Sequence, residues 1–361
     1  MMNPLPRRLP NRRPSGLGSS QTRYAEDVAV IARPENPVQT LVVEAVDAVR
    51  PSPRPGLLAD YATLFKLRVS TMVVITSAAG FYLGCLRSQI SPLGLGAVET
   101  LAGIALVTCG SSALNQAMER RTDRLQRRTC NRPMATGRIG LAHGILVGLL
   151  TILLGSLALA RVANPLTGVL TLATAVGYVV VYTPLKRFST INTFIGAIPG
   201  AMPPLIGWVA ARGRVEWPGV ALFAILFVWQ FPHFMAIGWM YREDFARAGI
   251  RISATIEDTR VAVRSTVAQA LFYAALMIPV SLWPFALGTT GVSYAVVAAL
   301  LSGGYLWMTI RFTRIVHSPD LLDVDAPSHR QPARDLLHAS IIYLPLLLAA
   351  MMLDARGRLL F

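Results

Sequence analysis

Runs of apolar residues alternate with short polar stretches along most of the chain. Nine runs approach the roughly 20 residues that a helix needs to cross the hydrocarbon core of a bilayer. They cover residues 69–86, 96–114, 139–160, 164–183, 191–209, 218–239, 266–287, 291–310 and 336–353, with ends uncertain by a few residues. The pattern predicts an all-α polytopic membrane protein, a bundle of nine transmembrane helices.

Basic residues are concentrated in every second connection, namely those that follow the second, fourth, sixth and eighth runs. The remaining connections are poor in them and hold only Arg87, Arg161, Arg212 and Arg214. By the positive-inside rule, this alternation predicts a cytoplasmic N-terminus and a C-terminus outside. Membrane topology therefore explains the net charge of +15, and we expect no nucleic-acid partner.

Residues 1–60 differ in composition from residues 61–361. Their first part is rich in Arg, Pro, Gly and Ser and contains no acidic residue before Glu26. We expect a disordered cytoplasmic tail before the membrane domain. A mitochondrial transit peptide is the competing interpretation, but prolines interrupt its amphipathic helix. The chain is therefore expected in a bacterial plasma membrane, with the mitochondrial inner membrane as the alternative.

The stretch NQAMERRTDRLQRRTCNRP, residues 115–133, follows the second run. Asn115, Glu119 and Asp123 are spaced by four and share one face if the helix continues. Mg²⁺ prefers oxygen ligands and often binds through one or two carboxylates and phosphate oxygens of a substrate. The stripe therefore predicts Mg²⁺ that bridges a diphosphate. The alternative is a solvated loop in which these carboxylates pair with neighbouring arginines.

A second cluster, VVYTPLKRFSTINT, ends the fourth run and contains Lys186, one of only two lysines among 34 basic residues. A compact ammonium group can act as a point charge on a phosphate, and Tyr182 lies one helical turn earlier. The alternative is a cation that sets topology beside an interfacial tyrosine. Lys66, before the first run, has the same two interpretations.

The third cluster, WQFPHFMAIGWMYREDFARAGI, ends the sixth run. His233, Tyr241 and Asp244 fall on one helical face, and an ionisable residue inside a membrane span indicates a functional site. The alternative for His233 is a hydrogen-bonded core histidine. Because all three clusters end even-numbered runs, they predict one pocket mouth above an apolar cavity, suited to an isoprenyl diphosphate. A transporter would more often place its polar site at the midplane.

Together these motifs resemble the UbiA-type intramembrane prenyltransferases, in the protohaem IX farnesyltransferase branch. The first stretch is similar to the signature NxxxExxxD–xxxRTxNRP, and similar motifs follow in the same order across roughly residues 60–354. The resemblance implies farnesyl transfer from farnesyl diphosphate to the vinyl group of haem b, which gives haem O and diphosphate. The alternatives are a family member with a phenolic or chlorophyll-type acceptor, or a transporter or scaffold without catalysis.

The site implied by these arguments has Mg²⁺ on Asn115, Glu119 and Asp123. Lys186, His233 and Asp244 join them as catalytic residues. The predicted substrate-binding residues are Arg128, Asn131, Arg132, Tyr182, Arg187, Tyr241, Arg242 and Arg247. Haem b is expected to be a substrate rather than a cofactor. The lipid bilayer is an expected partner, and the resemblance also implies haem A synthase as a partner protein. The family's second acidic motif, DxxxD, is not present in its usual form, which leaves a second metal site open.

Overall fold

The computed structural model describes residues 56–314 and 327–358, which are largely helical and contain no strand. Within these ranges nine helices are long and apolar enough to cross a membrane, which confirms the predicted all-α bundle. The nine are α2 (Leu67–Ser88), α3 (Leu95–Asp123), α5 (Leu141–Val162), α6 (Pro165–Leu185), α7 (Asn192–Arg212), α8 (Trp217–Met240), α10 (Thr259–Ala286), α11 (Val292–Phe312) and α12 (Pro327–Arg358). Three shorter helices are α1 (Leu57–Leu64), α4 (Pro133–Thr136) and α9 (Arg242–Arg247).

Helices α3 and α10 are among those that extend well beyond the apolar runs that predicted them. Helix α3 continues from the predicted end near residue 114 to Asp123, so that Asn115, Glu119 and Asp123 all lie on one helix. Helix α10 begins at Thr259 rather than near residue 266, and the side chain of Asp258 accepts hydrogen bonds from its first backbone amides. The added turns are polar, and polar turns fall outside a pattern based on hydropathy.

Helices α2 and α7 approach each other closely through glycine. A Cβ atom on Gly80 would collide with the carbonyl oxygen of Pro204, and one on Gly207 would collide with that of Ser77. Such small residues let backbones pack closely in membranes. Helix α7 also contains three internal prolines, which lack backbone donors and leave carbonyl groups of the preceding turn without their usual partner.

The bundle has two main apolar cores. The larger joins α8, α10, α11 and α12 around Trp239, Tyr294 and Phe312, and the smaller joins α3 and α5 around Ile104 and Leu159. On the outer helices, large apolar side chains such as those of α5 are exposed. Exposed apolar faces of this extent indicate contact with lipid. The chain is therefore an integral multi-pass membrane protein.

Two sequence-based expectations are not tested by the helical bundle: the sidedness of the termini and the N-terminal tail. The sidedness of the termini stays a prediction. The proposed tail, residues 1–60, lies outside the described residues except for its last five positions. Those positions carry the start of α1, so the predicted boundary at residue 60 falls within that helix.

Candidate active site

A cavity of about 560 Å³ lies between α2, α3, α6, α7 and α8. Its walls include Val73, Ile104, Val107 and Ile206, whereas one end is charged. Along α3 the lining runs from Ile104 to Asp123, which at 1.5 Å per residue spans about 28 Å. The volume is typical of small-molecule sites. The shape suits a ligand with a long apolar part and a charged head.

The charged end is formed by side chains that we call the cavity cluster. Its members are Lys66, Glu119, Asp123, Arg128, Arg132 and Lys186, all of which line the cavity. Four basic groups thus face two carboxylates. This imbalance favours an anionic ligand.

Both carboxylates of the cavity cluster are paired within the cluster. Lys186 Nζ donates to Glu119 Oε1 at 2.7 Å. Arg132 Nη1 donates to Asp123 Oδ1 and Oδ2 at 2.9 and 3.0 Å and lies 3.9 Å from Glu119 Oε2. The side chains of Glu119 and Asp123 are 13% and 2% exposed. The carboxylates therefore pair with basic residues in the wall of a cavity and not in a solvated loop.

Asn115 lies behind the cavity wall and is fully buried. Its Oδ1 accepts from Lys66 Nζ at 2.5 Å, and its Nδ2 donates to Thr183 Oγ1 at 3.1 Å. Lys66 adopts the left-handed region, with φ of 48°, which is uncommon for a residue other than glycine. Burial lowers the pKa of Lys66 to about 7. The nearby carboxylate of Glu119 raises this pKa, but the positive charges of Arg132 and Lys186 lower it again.

Lys186 follows an irregular turn of α6. The segment Gly177–Tyr182 is π-helical, a feature often found at functional sites. Lys186 Nζ lies 4.5 Å from the centroid of the Tyr182 ring, which packs against Gly196. Burial alone would lower the pKa of Lys186, but the side chains of Tyr182 and Glu119 outweigh it and hold the pKa above its usual value. Lys186 is thus the more basic of the two lysines at the cavity.

Residues 73–320 match the UbiA prenyltransferase family. The chain belongs to this family. A relative from Koribacter versatilis, named protoheme IX farnesyltransferase, is 44% identical over 305 residues, which cover 84% of this chain and 96% of that protein.

Two solved structures share the UbiA-type fold. One, of digeranylgeranylglyceryl phosphate synthase, has a TM-score of 0.66 at 17% identity and covers 83% of this chain and 99% of that one. The other, a UbiA homolog from Archaeoglobus fulgidus bound to GPP and Mg²⁺, has a TM-score of 0.53 at 18% identity, with 81% and 99% covered. At these identities the likeness concerns the fold alone.

In this UbiA-family chain His233 lies away from the cavity cluster. His233 Nδ1 is 2.7 Å from Ser340 Oγ on α12, and its ring stacks on Trp229 with centroids 4.9 Å apart. Trp229 Nε1 in turn donates to the carbonyl oxygen of Ser340 at 2.8 Å. His233 is not among the residues that line the cavity, although the next residue, Phe234, is.

The contacts of His233 continue into a network of hydroxyl groups that we call the interior cluster. Tyr305 donates to the carbonyl oxygen of Trp229 at 3.2 Å, and its ring stacks on Tyr343. The hydroxyl of Tyr343 lies 2.6 Å from that of Ser281 and 3.0 Å from that of Ser302. The members of the cluster are Trp229, His233, Ser281, Ser302, Tyr305, Ser340 and Tyr343.

The connection after α8 contacts the connection after α3 at the charged end of the cavity, which we call its mouth. The guanidinium carbon of Arg128 lies 5.2 Å from the ring centroid of Tyr241 and 5.7 Å from that of Phe245. Asp244 Oδ1 accepts from the backbone amide of Arg127 at 3.4 Å and from Arg247 Nη1 at 2.9 Å. The first and third of the clusters predicted from the sequence are therefore in contact. The first and second are also in contact, through the ion pair of Glu119 and Lys186.

The remaining predicted residues lie around this mouth without lining the cavity. Arg187 Nη2 donates to Thr122 Oγ1, and the guanidinium of Arg242 lies 4.4 Å from the ring centroid of Trp239. Asn131 is exposed and contributes its backbone carbonyl to Arg138. Sequence reasoning did not assign Lys66 to the site, although its rarity as a lysine was a signal. It gave no signal for Asp60 or Arg138.

Proposed function

We propose that this UbiA-family protein transfers the farnesyl group of farnesyl diphosphate to the vinyl group of haem b, giving haem O and diphosphate. The observation that carries the proposal is the cavity cluster at one end of an apolar cavity. This arrangement fits a diphosphate at the mouth and an isoprenyl chain inside. The name of the relative from Koribacter versatilis supports haem b as the acceptor.

Glu119 and Asp123 are the residues that would hold Mg²⁺. They lie one turn apart on α3 and line the same cavity. In the described part of the chain no group of three or more acidic, histidine or cysteine side chains is placed to hold a metal alone, so substrate phosphate oxygens and water would complete the coordination. Asn115 could join only if Lys66 left its amide oxygen. Bound Mg²⁺ would supply neutralisation of the leaving diphosphate.

The basic side chains of the cavity cluster bind and orient the diphosphate. Lys186 and Arg132 already lie within hydrogen-bonding distance of the two carboxylates, and they would shift part of that interaction to phosphate oxygens. As the bond between C1 of the farnesyl group and its oxygen breaks, negative charge grows on the diphosphate. Fixed cations beside it stabilise that charge most in the transition state. The ring of Tyr182 lines the cavity next to Lys186.

The reaction then forms a bond between C1 and one vinyl carbon of haem b. Water adds its oxygen to the other vinyl carbon and releases a proton, which leaves the hydroxyl group of haem O. We assign the haem propionates to Arg242 and Arg247, which lie near the mouth and whose guanidinium groups suit carboxylates. Asn131, Arg187 and Tyr241 would complete the binding of the two substrates. Asp244 would act by orienting Arg247.

His233 would act from within the interior cluster. Its Nδ1 is engaged by Ser340, so the remaining ring nitrogen, Nε2, is the atom that we assign to the haem iron or to the attacking water. This role requires haem b to reach the side of α8 that faces α12.

We place the protein in a bacterial plasma membrane, with the mouth of the cavity on the cytoplasmic side. The excess of basic residues in the connections that form the mouth supports this orientation. Haem A synthase is then the partner expected to receive haem O.

The proposal is tested by incubating the purified protein in lipid nanodiscs with farnesyl diphosphate and haem b, with and without Mg²⁺. Haem O, identified by mass, is expected only when Mg²⁺ and both substrates are present. Prenylation of 4-hydroxybenzoate in place of haem b would indicate another acceptor. A complete lack of prenylated product under every metal condition would remove the enzymatic proposal.

A further inference from the structure

Asp60 of α1 takes part in a partly buried ion pair outside the cavity. It is 5% exposed, and it accepts from Arg138 Nε at 3.0 Å to each oxygen and from Arg138 Nη2 at 2.8 Å. Forked contacts of this kind fix geometry as well as charge. Neither residue lines the cavity.

Arg138 extends this contact to both ends of α4. Its Nη2 donates to the carbonyl oxygen of Asn131 at 2.8 Å, and its Nη1 donates to Thr136 Oγ1 at 2.8 Å. Thr136 Oγ1 in turn donates to the carbonyl oxygen of Arg132 at 3.1 Å. Arg138 thus holds the backbone on both sides of Arg132, the residue that binds Asp123 in the cavity cluster.

Helix α1 is attached to α3 independently of Asp60. Gln116 Nε2 donates to the carbonyl oxygens of Thr63 and Leu64 at 2.7 and 3.1 Å. Leu64 is fully buried and belongs to a small core with Ala113 of α3 and Met134 of α4. Helix α1 is therefore a fixed support from which Asp60 can hold the connection that carries Arg132.

We propose that Asp60 and Arg138 are positioning residues that hold Arg132 in place and thereby set the affinity of the cavity for the diphosphate group. The inference rests on the proposed function and extends it to two residues that touch neither substrate. Loss of the pair would let the Asn131–Arg132 backbone move, so that Arg132 no longer stands against Asp123 and the diphosphate. Binding of haem b would not depend on the pair.

The first test is the variant Asp60→Asn, compared with the wild type in steady-state haem O formation. The kcat/KM for farnesyl diphosphate should fall about tenfold, the size expected for one lost charge-assisted hydrogen bond, with a rise in the KM for farnesyl diphosphate, whereas the KM for haem b stays within about twofold. Arg138→Lys keeps the charge but loses the fork, so it should give the same shift and serves if Asp60→Asn does not fold. Unchanged KM values in both variants would overturn the inference.

A double-mutant cycle shows whether the pair acts through Arg132. In an Arg132→Gln background, Asp60→Asn should change the affinity for inorganic diphosphate with Mg²⁺ by less than about twofold. If the two effects multiply instead, Asp60 does not act through Arg132 and the inference fails. If the wild type binds no prenyl diphosphate, both the proposed function and the inference fail. If the wild type and the variants bind it equally well, only the inference fails.

Glu216→Gln is the matched control. Glu216 accepts from Arg212 Nε at 2.8 Å and from Arg212 Nη2 at 3.1 Å, and it lies between α7 and α8 at the end of these helices opposite the mouth. Breaking this ion pair should lower thermal stability without changing the KM for farnesyl diphosphate. An equal rise in KM for Glu216→Gln would show that the effect of Asp60→Asn is one of general destabilisation and would contradict the proposed positioning role.

Discussion

The cavity cluster and the interior cluster are both polar groups inside a membrane-spanning bundle, but their polar atoms are satisfied in different ways. In the interior cluster hydroxyl, imidazole and indole groups bond to one another and to backbone carbonyls. In the cavity cluster four basic groups face an open space with two carboxylates, and only Arg132 and Lys186 pair with these carboxylates among the contacts described. Burial of polar groups in membrane helices therefore does not by itself mark a diphosphate site. Unbalanced charge beside a cavity does.

The largest effect is expected from the carboxylates of the cavity cluster. Asp123→Asn or Glu119→Gln should reduce haem O formation by about 100-fold or more, the size seen when one preorganised charge-stabilising group is removed. Both variants keep the side-chain volume and should fold. The amount of folded protein in the membrane is measured as the control, so that lost activity is not confused with lost protein. Near-normal haem O formation by folded Asp123→Asn protein would contradict the metal site proposed here.

A smaller effect is expected at Lys186. Lys186→Met should weaken farnesyl diphosphate binding by about 10- to 100-fold, because a charge-assisted contact is lost and Glu119 loses its nearest cation. Lys186→Arg preserves the charge and should recover part of the affinity. Binding can be measured by calorimetry in nanodiscs without haem. Equal affinities for wild type and Lys186→Met would place the diphosphate elsewhere.

Lys66 should make binding dependent on pH. Since its pKa is about 7, Lys66 is mainly charged at pH 6 and mainly neutral at pH 8, and a bound anion favours the charged form. The affinity for farnesyl diphosphate should therefore fall by about tenfold between pH 6 and pH 8, the factor for uptake of one proton. Lys66→Met removes this part of the profile, and titration of the ligand itself is common to both proteins. Identical profiles would contradict the assignment.

The smallest effect on the diphosphate is expected from the interior cluster. Ser340→Ala leaves His233 Nδ1 without its partner, so the free energy of unfolding should fall by about 1–3 kcal/mol. Affinity for farnesyl diphosphate should stay within about twofold of the wild type, because Ser340 and His233 do not line the cavity. Thermal unfolding and calorimetry on the same preparation check both statements. A large loss of affinity would erase the distinction between the clusters.

The sequence predicted the nine spans because hydropathy is a property of each segment alone. It also predicted the face shared by Glu119 and Asp123, since that face follows from helical periodicity once α3 continues to Asp123. Periodicity placed His233 correctly on a helix but could not tell which neighbouring helix it faces. In the structure that neighbour is α12, more than 100 residues later in the chain.

Other features depend on contacts that no local pattern contains. The π-helical turn at Gly177–Tyr182 lies in an ordinary apolar run, and its close contact with Gly196 depends on how α6 meets α7. Asp60 falls within residues expected to be a tail, and its partner Arg138 is 78 positions away. Asn115 was predicted as a metal ligand, yet its amide group bridges Lys66 and Thr183 from two other segments. Tertiary packing decides each of these arrangements.

The most direct test of the account is calorimetric binding of farnesyl diphosphate, without haem, to nanodisc-embedded wild type, Glu119→Gln and Ser340→Ala, each with Mg²⁺ and with EDTA. We expect Mg²⁺-dependent binding to the wild type and to Ser340→Ala, and its loss in Glu119→Gln. Binding of equal strength to all three proteins regardless of Mg²⁺ would contradict the claim that the cavity cluster holds the diphosphate.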